Sequence, residues 1–226
     1  MLSFSTSYCE AISGFFQNKG GHTLQFNIGH FSNGFGEAEG PDATSSYITG
    51  GPLGDNKYYF WQYHFHWGTS GMSGSEHVVD GQQFPAEVHL VHVHEDYLTN
   101  IPGALADPEG LSVLGIFIVG GATNATFFDK VSDAAKEITD SGDYRTMVGA
   151  TMNLNQFVNH INPGFKKAFN YWHYEGSLTT PECNEAVMWL VAEHPLRVTD
   201  DQVLMSLNYL SYQSISGFLP ILATFL

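Results

Sequence analysis

His64 and His66 have the spacing of two metal ligands on one strand. Successive side chains of a strand point to opposite faces, so in the segment QYHFHWG both histidines share a face with Gln62. Two imidazoles two residues apart on one face can grip one metal ion. The alternation therefore predicts part of a metal site, with the Gln62 amide beside it.

A third histidine, His89, occupies one face of a second predicted strand. In the segment AEVHLVH, Glu87, His89 and Val91 alternate onto a common face, so a neighbouring strand could deliver His89 to the same ion. Three protein ligands leave the fourth position of tetrahedral zinc to water, which is the layout of catalytic zinc. We expect Gln62 and Glu87 to orient the imidazoles through hydrogen bonds.

Two other interpretations remain at the level of the residues alone. Buried histidines are common in protein cores, and a His-x-His pair by itself is a weak signal for a metal. A cupin-type dioxygenase also carries such a pair on a strand, but its pattern needs a carboxylate a few residues later. Here Glu76 follows His66 by ten residues, and the nearer positions 69–71 are Thr, Ser and Gly, which argues against this class.

Short strands punctuated by glycine dominate the elements that must position these residues. The 24 glycines separate runs rich in β-branched and aromatic residues: 23–27, 58–67, 86–94, 111–119 and 186–192. Helices are few. Apolar residues share one face over 126–138, and Thr199 with Gln202 has the spacing of a capping box. We predict a single, mainly β domain over residues 1–226 with a few peripheral helices.

Composition and net charge limit the classes of partner that we expect. The 226 residues are 43% hydrophobic and 14% charged, which suits one packed domain. Eight basic against 23 acidic residues give a net charge of −15, so we expect no nucleic-acid partner. We also expect no signal peptide at 1–21 and no transmembrane segment, because the apolar run at 218–226 is too short to span a bilayer.

The histidine segments belong to a longer pattern that closely resembles the α-carbonic anhydrase family. Besides QYHFHWG and AEVHLVH, the motifs GSEHVVDG at 74–81 and YWHYEGSLTTP at 171–181 follow the family's text in order. The resemblance runs from about Leu2 to about Leu204 and leaves 205–226 as a divergent tail. It implies a large, twisted, mainly antiparallel sheet with zinc at the bottom of a conical cleft.

The resemblance implies an enzyme that reversibly hydrates carbon dioxide to bicarbonate and a proton, by attack of zinc-bound hydroxide. The zinc ligands that it implies are His64, His66 and His89. By the same pattern, Thr179 accepts a hydrogen bond from the hydroxide and passes its own proton to Glu76. Thr180 lines the site of the substrate and of bicarbonate.

The resemblance also implies an apolar wall and a proton shuttle. The residues that match the wall where carbon dioxide rests are Val91, Leu111, Val113, Leu178, Val187 and Trp189. The shuttle is a histidine of a Gly-His pair on an early strand, and an imidazole of near-neutral pKa suits that task. His22, after Gly21, matches the family's text best, and His30 is held in reserve.

The sequence departs from the family pattern at both ends. The family's aromatic cluster with a Gln-Ser-Pro motif has no counterpart, nor has its Asn-Trp-Arg-Pro-like stretch, which ordinarily supplies a main-chain acceptor for the ligand that corresponds to His66. We therefore expect a chain that is less stable and more prone to aggregate than one with family-like ends. The alternative to an enzyme is a zinc-binding or matrix protein of this fold with little turnover.

The two cysteines, Cys9 and Cys183, could form one disulfide. Cys183 stands where secreted and membrane-bound members of the family carry a disulfide cysteine, which hints at that lineage without fixing a compartment. Cys9 does not match the usual partner, so we expect Cys183 to be a free thiol. The pattern assigns no oligomeric state.

Overall fold

The structure, a computed structural model, describes residues 1–19, 23–32, 35–68, 73–138, 144–145, 152–161, 169–203 and 224–225. Its strands are β1 (Leu2–Phe4), β2 (Gly14–Lys19), β3 (Thr23–Ser32), β4 (Phe35–Ala38), β5 (Tyr47–Gly50), β6 (Tyr58–Trp67), β7 (Val78–Val79), β8 (Ala86–His94), β9 (Leu111–Val119), β10 (Tyr144–Arg145), β11 (Tyr171–Gly176), β12 (Val187–Ala192), β13 (Leu196–Arg197) and β14 (Thr224–Phe225). Its helices are α1 (Ile101–Ala104), α2 (Asp129–Glu137) and α3 (Asn155–Ile161). Short 3₁₀ turns span Thr6–Cys9, Gly51–Leu53, Glu95–Tyr97 and Thr126–Phe128.

Most described strands join one large mixed sheet. Its main path runs β10-β2-β3-β6-β8-β9-β12-β11, with β1, β4, β5 and β13 paired alongside. Pairing within it is antiparallel except where β12 and β13 run parallel to β9. A separate parallel pair joins β14 to β7. This architecture confirms the predicted mainly β fold with a large, mainly antiparallel sheet.

The central strands β6, β8 and β9 have the bounds that the sequence pattern predicts. β8 and β9 are buried over nearly their whole length. A strand covered on both faces can be apolar throughout, which explains why their runs are so continuous. These three strands form the platform on which the histidine segments lie.

The two faces of this platform carry separate apolar clusters. One face holds the larger core, in which Tyr63, Phe65 and Leu90 are fully buried. The opposite face holds a smaller cluster that includes Val91 and Trp189. Because side chains alternate along a strand, the three histidines predicted as metal ligands point to the face of the smaller cluster.

The helices pack at the edge of the larger core. A 3₁₀ turn and then α2 replace the single predicted helix over 126–138, and the predicted apolar face is buried there, as at Val131 and Ala135. The predicted capping box is confirmed, because the Thr199 amide donates to Oε1 of Gln202 at 2.9 Å and the Gln202 amide donates to Oγ1 of Thr199 at 3.2 Å.

No helix of the described ranges is long and apolar enough to cross a membrane.

Candidate metal centre

Strand register brings three histidines together. β6 and β8 pair antiparallel with His64 directly opposite His89, and His66 follows on the same face. The ring centroids are 5.0 Å apart for His64 and His66, 5.2 Å for His64 and His89, and 4.5 Å for His66 and His89. One nitrogen of each ring lies within 4.8 Å of the others, so the three could hold one ion.

Two of these rings are oriented by a neighbour on their own strand. Nδ1 of His64 donates to Oε1 of Gln62 at 2.9 Å, which leaves the lone pair on Nε2. Nε2 of His89 donates to Oε1 of Glu87 at 2.9 Å, which leaves the lone pair on Nδ1. Gln62 and Glu87 thus lie where the alternation predicts, and each fixes which nitrogen of its partner can bind a metal.

The third ring, His66, has a buried nitrogen without a partner. Among the described residues, no group hydrogen-bonds to Nε2 of His66. Its Nδ1 lies 3.3 Å from Oε1 of Glu76. A buried polar atom is rarely left unsatisfied in a native protein, so an orphan nitrogen aimed at two other imidazoles indicates a ligand position.

Burial keeps two of the rings in the neutral form that binds metal. Burial and the neighbouring His89 lower the pKa of His64 to about 3. The same two causes, in the same order, hold the pKa of His66 well below its usual value. Burial acts in this direction on His89 too, but the charge and hydrogen bond of Glu87 outweigh it and raise the pKa of His89. An incoming metal ion would therefore compete mainly with a proton on His89.

The donor set fits zinc. Three imidazole nitrogens are ligands that zinc accepts readily, and three protein ligands leave one tetrahedral position open. The orphan Nε2 of His66 and the lone pairs left on His64 and His89 supply those nitrogens. A second close group, His77 with Glu87 and His89, is different, because its atoms already satisfy one another.

Glu87 is the centre of a buried hydrogen-bond network. Its Oε2 accepts from the backbone amides of Glu76 and His77, each at 3.0 Å. Its Oε1 accepts from Nδ1 of His77 at 2.5 Å and from Nε2 of His89. Burial alone would raise the pKa of Glu87, but the charges and hydrogen bonds of His77 and His89 hold it well below its usual value. One ionised carboxylate thus ties the loop before β7 to the histidine cluster.

Glu76 and Thr179 meet beside the cluster. Burial raises the pKa of Glu76, whereas the charge of His89 and a hydrogen bond from the Thr179 side chain act against that rise. Thr179 lies on the loop between β11 and β12, and Thr180, the next residue, is exposed. This hydrogen bond places the Thr179 side chain beside Glu76.

An apolar cluster adjoins the histidines on the same face. Register places Val113 opposite both Val91 and Trp189, and the Trp189 ring lies 4.8 Å from that of His89. All the residues predicted to line an apolar wall fall in this cluster, with Leu178 only partly buried: Val91, Leu111, Val113, Leu178, Val187 and Trp189. The apolar cluster thus lies directly beside His89.

Comparison with known proteins agrees with the geometry. A family model described as eukaryotic-type carbonic anhydrase matches residues 2–219. The chain belongs to this family. The matched region extends further along the chain than the limit near Leu204 that the motifs suggest.

Curated carbonic anhydrases match over most of this chain. Carbonic anhydrase 3 of Rattus norvegicus is 38% identical over 160 residues, which is 70% of this chain and 56% of the rat protein. Carbonic anhydrase 1 of Oryctolagus cuniculus is 34% identical over 199 residues, or 87% of this chain and 77% of the rabbit protein. Mitochondrial carbonic anhydrase 5A of Homo sapiens is 36% identical over 170 residues, or 74% of this chain and 52% of the human protein. The chain thus spans little more than half the length of the rat and human proteins.

Of the two histidines predicted to shuttle protons, the structure describes only His30. His22 lies outside the described residues. His30 is exposed on β3, with Nε2 3.3 Å from Oε1 of Glu39. Gln25 is the β3 residue opposite His64, so His30, five residues further on, lies about 16 Å along the strand.

The two cysteines of the chain form no disulfide. Cys9 and Cys183 are both exposed and both carry free thiols. The expectation of a free thiol at Cys183 therefore agrees with the structure. Cys183 lies on the same loop as Thr179, where its amide donates to the Thr180 carbonyl at 2.8 Å.

Sequence reasoning missed two residues of the hydrogen-bond network. His77 connects to Glu87, and its Nε2 lies 2.7 Å from the Tyr174 hydroxyl. His77 directly follows Glu76 in the GSEHVVDG motif, and Tyr174 lies within YWHYEGSLTTP. Both motifs belong to the pattern that resembles the family, but only the folded sheet shows that these two side chains meet.

Proposed function

We propose that this chain binds one zinc ion and catalyses the reversible hydration of carbon dioxide to bicarbonate and a proton. The proposal depends above all on the convergence of three imidazoles on one face of the sheet, each with a nitrogen left for an ion. Three histidines with an open fourth position are an arrangement of catalytic zinc, and carbonic anhydrase is itself the standard example. Membership of that family supports the same reaction.

His64, His66 and His89 would hold the ion, while Gln62 and Glu87 keep two of the rings oriented. When bound, zinc supplies Lewis acidity, which makes water a usable nucleophile near neutral pH. Neutral imidazoles leave the ion its full positive charge. The low pKa values of His64 and His66 suit that requirement.

Glu76 and Thr179 would orient the attacking water. Because the Thr179 hydroxyl commits its proton to Glu76, its oxygen can only accept a hydrogen bond from that water. The water's remaining lone pair is then directed toward the substrate, and such alignment lowers the barrier by positioning. Thr180, exposed on the same loop, would contact the bicarbonate product.

The apolar cluster would receive carbon dioxide. This substrate has no net dipole and no hydrogen to donate, so apolar side chains suit it and a charged product is readily displaced from them. Trp189 packs against the His89 ring, and Val113 lies opposite both Val91 and Trp189. The proton released must then leave through a titratable group, for which His22 is our first choice and His30 the reserve.

The zinc content of purified variants tests the proposed ligand set. Purified protein should contain one zinc per chain, and His89→Ala should lose most of it because two imidazoles bind far more weakly than three. His94→Ala is the matched control, since His94 lies on the same strand at its far end, away from the cluster. Full zinc retention by His89→Ala, or equal loss in both variants, would rule out this ligand set.

A further inference from the structure

Tyr174 lies at the outer end of a hydrogen-bonded chain that leads to His89. The Tyr174 hydroxyl is 2.7 Å from Nε2 of His77, and Nδ1 of His77 is 2.5 Å from Oε1 of Glu87. The same Oε1 accepts from Nε2 of His89. The chain crosses three separate elements: β11, the segment before β7, and β8.

The direction of each hydrogen bond in this chain is set by Glu87. Oε2 of Glu87 accepts from two backbone amides and Oε1 accepts from His89, so in its hydrogen bond to Oε1 His77 is the donor through Nδ1. In the imidazole tautomer that has its proton on Nδ1, Nε2 is the acceptor, and the Tyr174 hydroxyl donates to it. Tyr174 therefore favours the one tautomer of His77 that can support Glu87.

The Tyr174 ring is itself held firmly. It stacks on Trp189 with ring centroids 6.1 Å apart and planes within 6° of parallel. Trp189 also packs edge-on against the rings of His77 and His89, each at 4.8 Å, and its Nε1 donates to the Ser177 carbonyl. A ring fixed in this way can hold its hydroxyl in one place.

We propose that Tyr174 is a positioning residue for the metal centre, which acts through His77 and Glu87 to fix the orientation and tautomer of His89. The inference rests on the proposed zinc site and names a further residue on which that site depends. Groups that orient metal-bound histidines commonly change metal affinity when they are removed. Loss of the Tyr174 hydroxyl leaves Nε2 of His77 without its donor, and His77 can then change tautomer and release Glu87.

The test uses Tyr174→Phe, which removes one oxygen and keeps the stacking ring. Tyr171→Phe is the matched control, because Tyr171 lies on the same strand and packs against the larger core on the opposite face. Zinc release to an excess of chelator is timed for each protein. We expect Tyr174→Phe to release zinc about tenfold faster than the wild type, and Tyr171→Phe to match the wild type.

Two further measurements separate positioning from general stability. The visible spectrum of the cobalt(II)-loaded protein reports ligand geometry, and we expect it to change in Tyr174→Phe only. The melting temperature of the metal-free protein should be equal for Tyr174→Phe and Tyr171→Phe. An altered melting temperature for Tyr174→Phe with an unchanged cobalt spectrum would overturn the inference in favour of a purely structural role.

A double-mutant cycle tests the route. In a Glu87→Gln background, Tyr174→Phe should have little further effect on zinc release, because the connection to His89 is already altered. An undiminished effect in that background, or equal release by Tyr174→Phe and Tyr171→Phe, would overturn the inference while leaving the zinc site intact. A wild-type chain that binds no zinc would instead overturn the proposed function, and the inference with it.

Discussion

Two histidines that lie close together in the sequence have different environments in the fold. His89 and His92 are three residues apart on β8, yet they point to opposite faces of the sheet. His89 contacts Glu87, whereas His92 lies in the larger core against Tyr8. The alternation of a strand predicts from the sequence alone that these two side chains point to opposite faces, and the structure places His89 in the cluster.

At the same scale, Thr179→Ala tests the orientation of the attacking water. The variant should keep its zinc, because Thr179 is not one of the three proposed ligands. Its kcat/KM should fall by about a hundredfold, which is the scale of one lost transition-state hydrogen bond. Zinc content and steady-state hydration kinetics are the measurements, with the exposed turn residue Thr44→Ala as control. An unchanged kcat/KM for Thr179→Ala would refute the role of this hydroxyl.

Among the elements, the central strands could be predicted but their long-range partners could not. β6, β8 and β9 are long runs of β-branched and aromatic residues, so their bounds follow from the pattern. The contact of His77 with Tyr174 joins residues 97 positions apart, and its existence depends on the register of several strands. Short helices such as α1, with four residues, carry too little periodicity to be recognised.

Register also explains a glycine in the middle of β9. Gly115 pairs with His89, and a Cβ at this position would lie 2.8 Å from Oε1 of Glu87. That oxygen is held by His77 and His89, so it cannot retreat without breaking a hydrogen bond. We expect Gly115→Ala to weaken zinc binding by about tenfold or more, measured by competition with a chromophoric chelator.

The control for Gly115→Ala is Gly40→Ala, because a Cβ at Gly40 would meet only the Leu98 carbonyl oxygen at an ordinary 3.6 Å. Both substitutions add the same methyl group and remove the same backbone freedom. Equal zinc affinity in the two variants would show that close packing at Gly115 does not support Glu87.

At the scale of the whole molecule, one face of the sheet carries the larger hydrophobic core and the other face carries the histidine cluster. The larger core packs α2 and α3 against one face, and the histidines lie with the smaller apolar cluster on the other. Sequence alternation predicts which face each strand residue occupies. It does not predict the buried pair of Tyr8 and His92, which joins residues 84 positions apart.

The buried His92 makes the whole fold sensitive to acid. Burial lowers the pKa of His92 from 6.5 to about 3, with Nδ1 donating to the Ser112 carbonyl. Between these values the unfolded chain binds a proton that the folded chain does not. His92 therefore lowers the free energy of unfolding by about 1.4 kcal/mol for each pH unit as the pH falls through this window.

Urea unfolding of the metal-free protein at a series of pH values checks this expectation, with His92→Gln for comparison. Glutamine can accept from Tyr8 and donate to Ser112 but cannot titrate. The stability of the wild type should fall more steeply than that of His92→Gln between pH 6.5 and pH 4. Parallel curves would show that His92 does not contribute to acid sensitivity.

We propose above all that this sheet holds a zinc ion that hydrates carbon dioxide. Stopped-flow measurement of proton release from dissolved carbon dioxide tests it directly, with zinc-loaded, metal-free and zinc-restored protein compared at equal concentration. We predict a rate above the uncatalysed reaction that disappears with the metal and returns when zinc is added back. A chain that holds one zinc through these histidines, yet leaves the rate at the uncatalysed value, would rule out the proposed reaction.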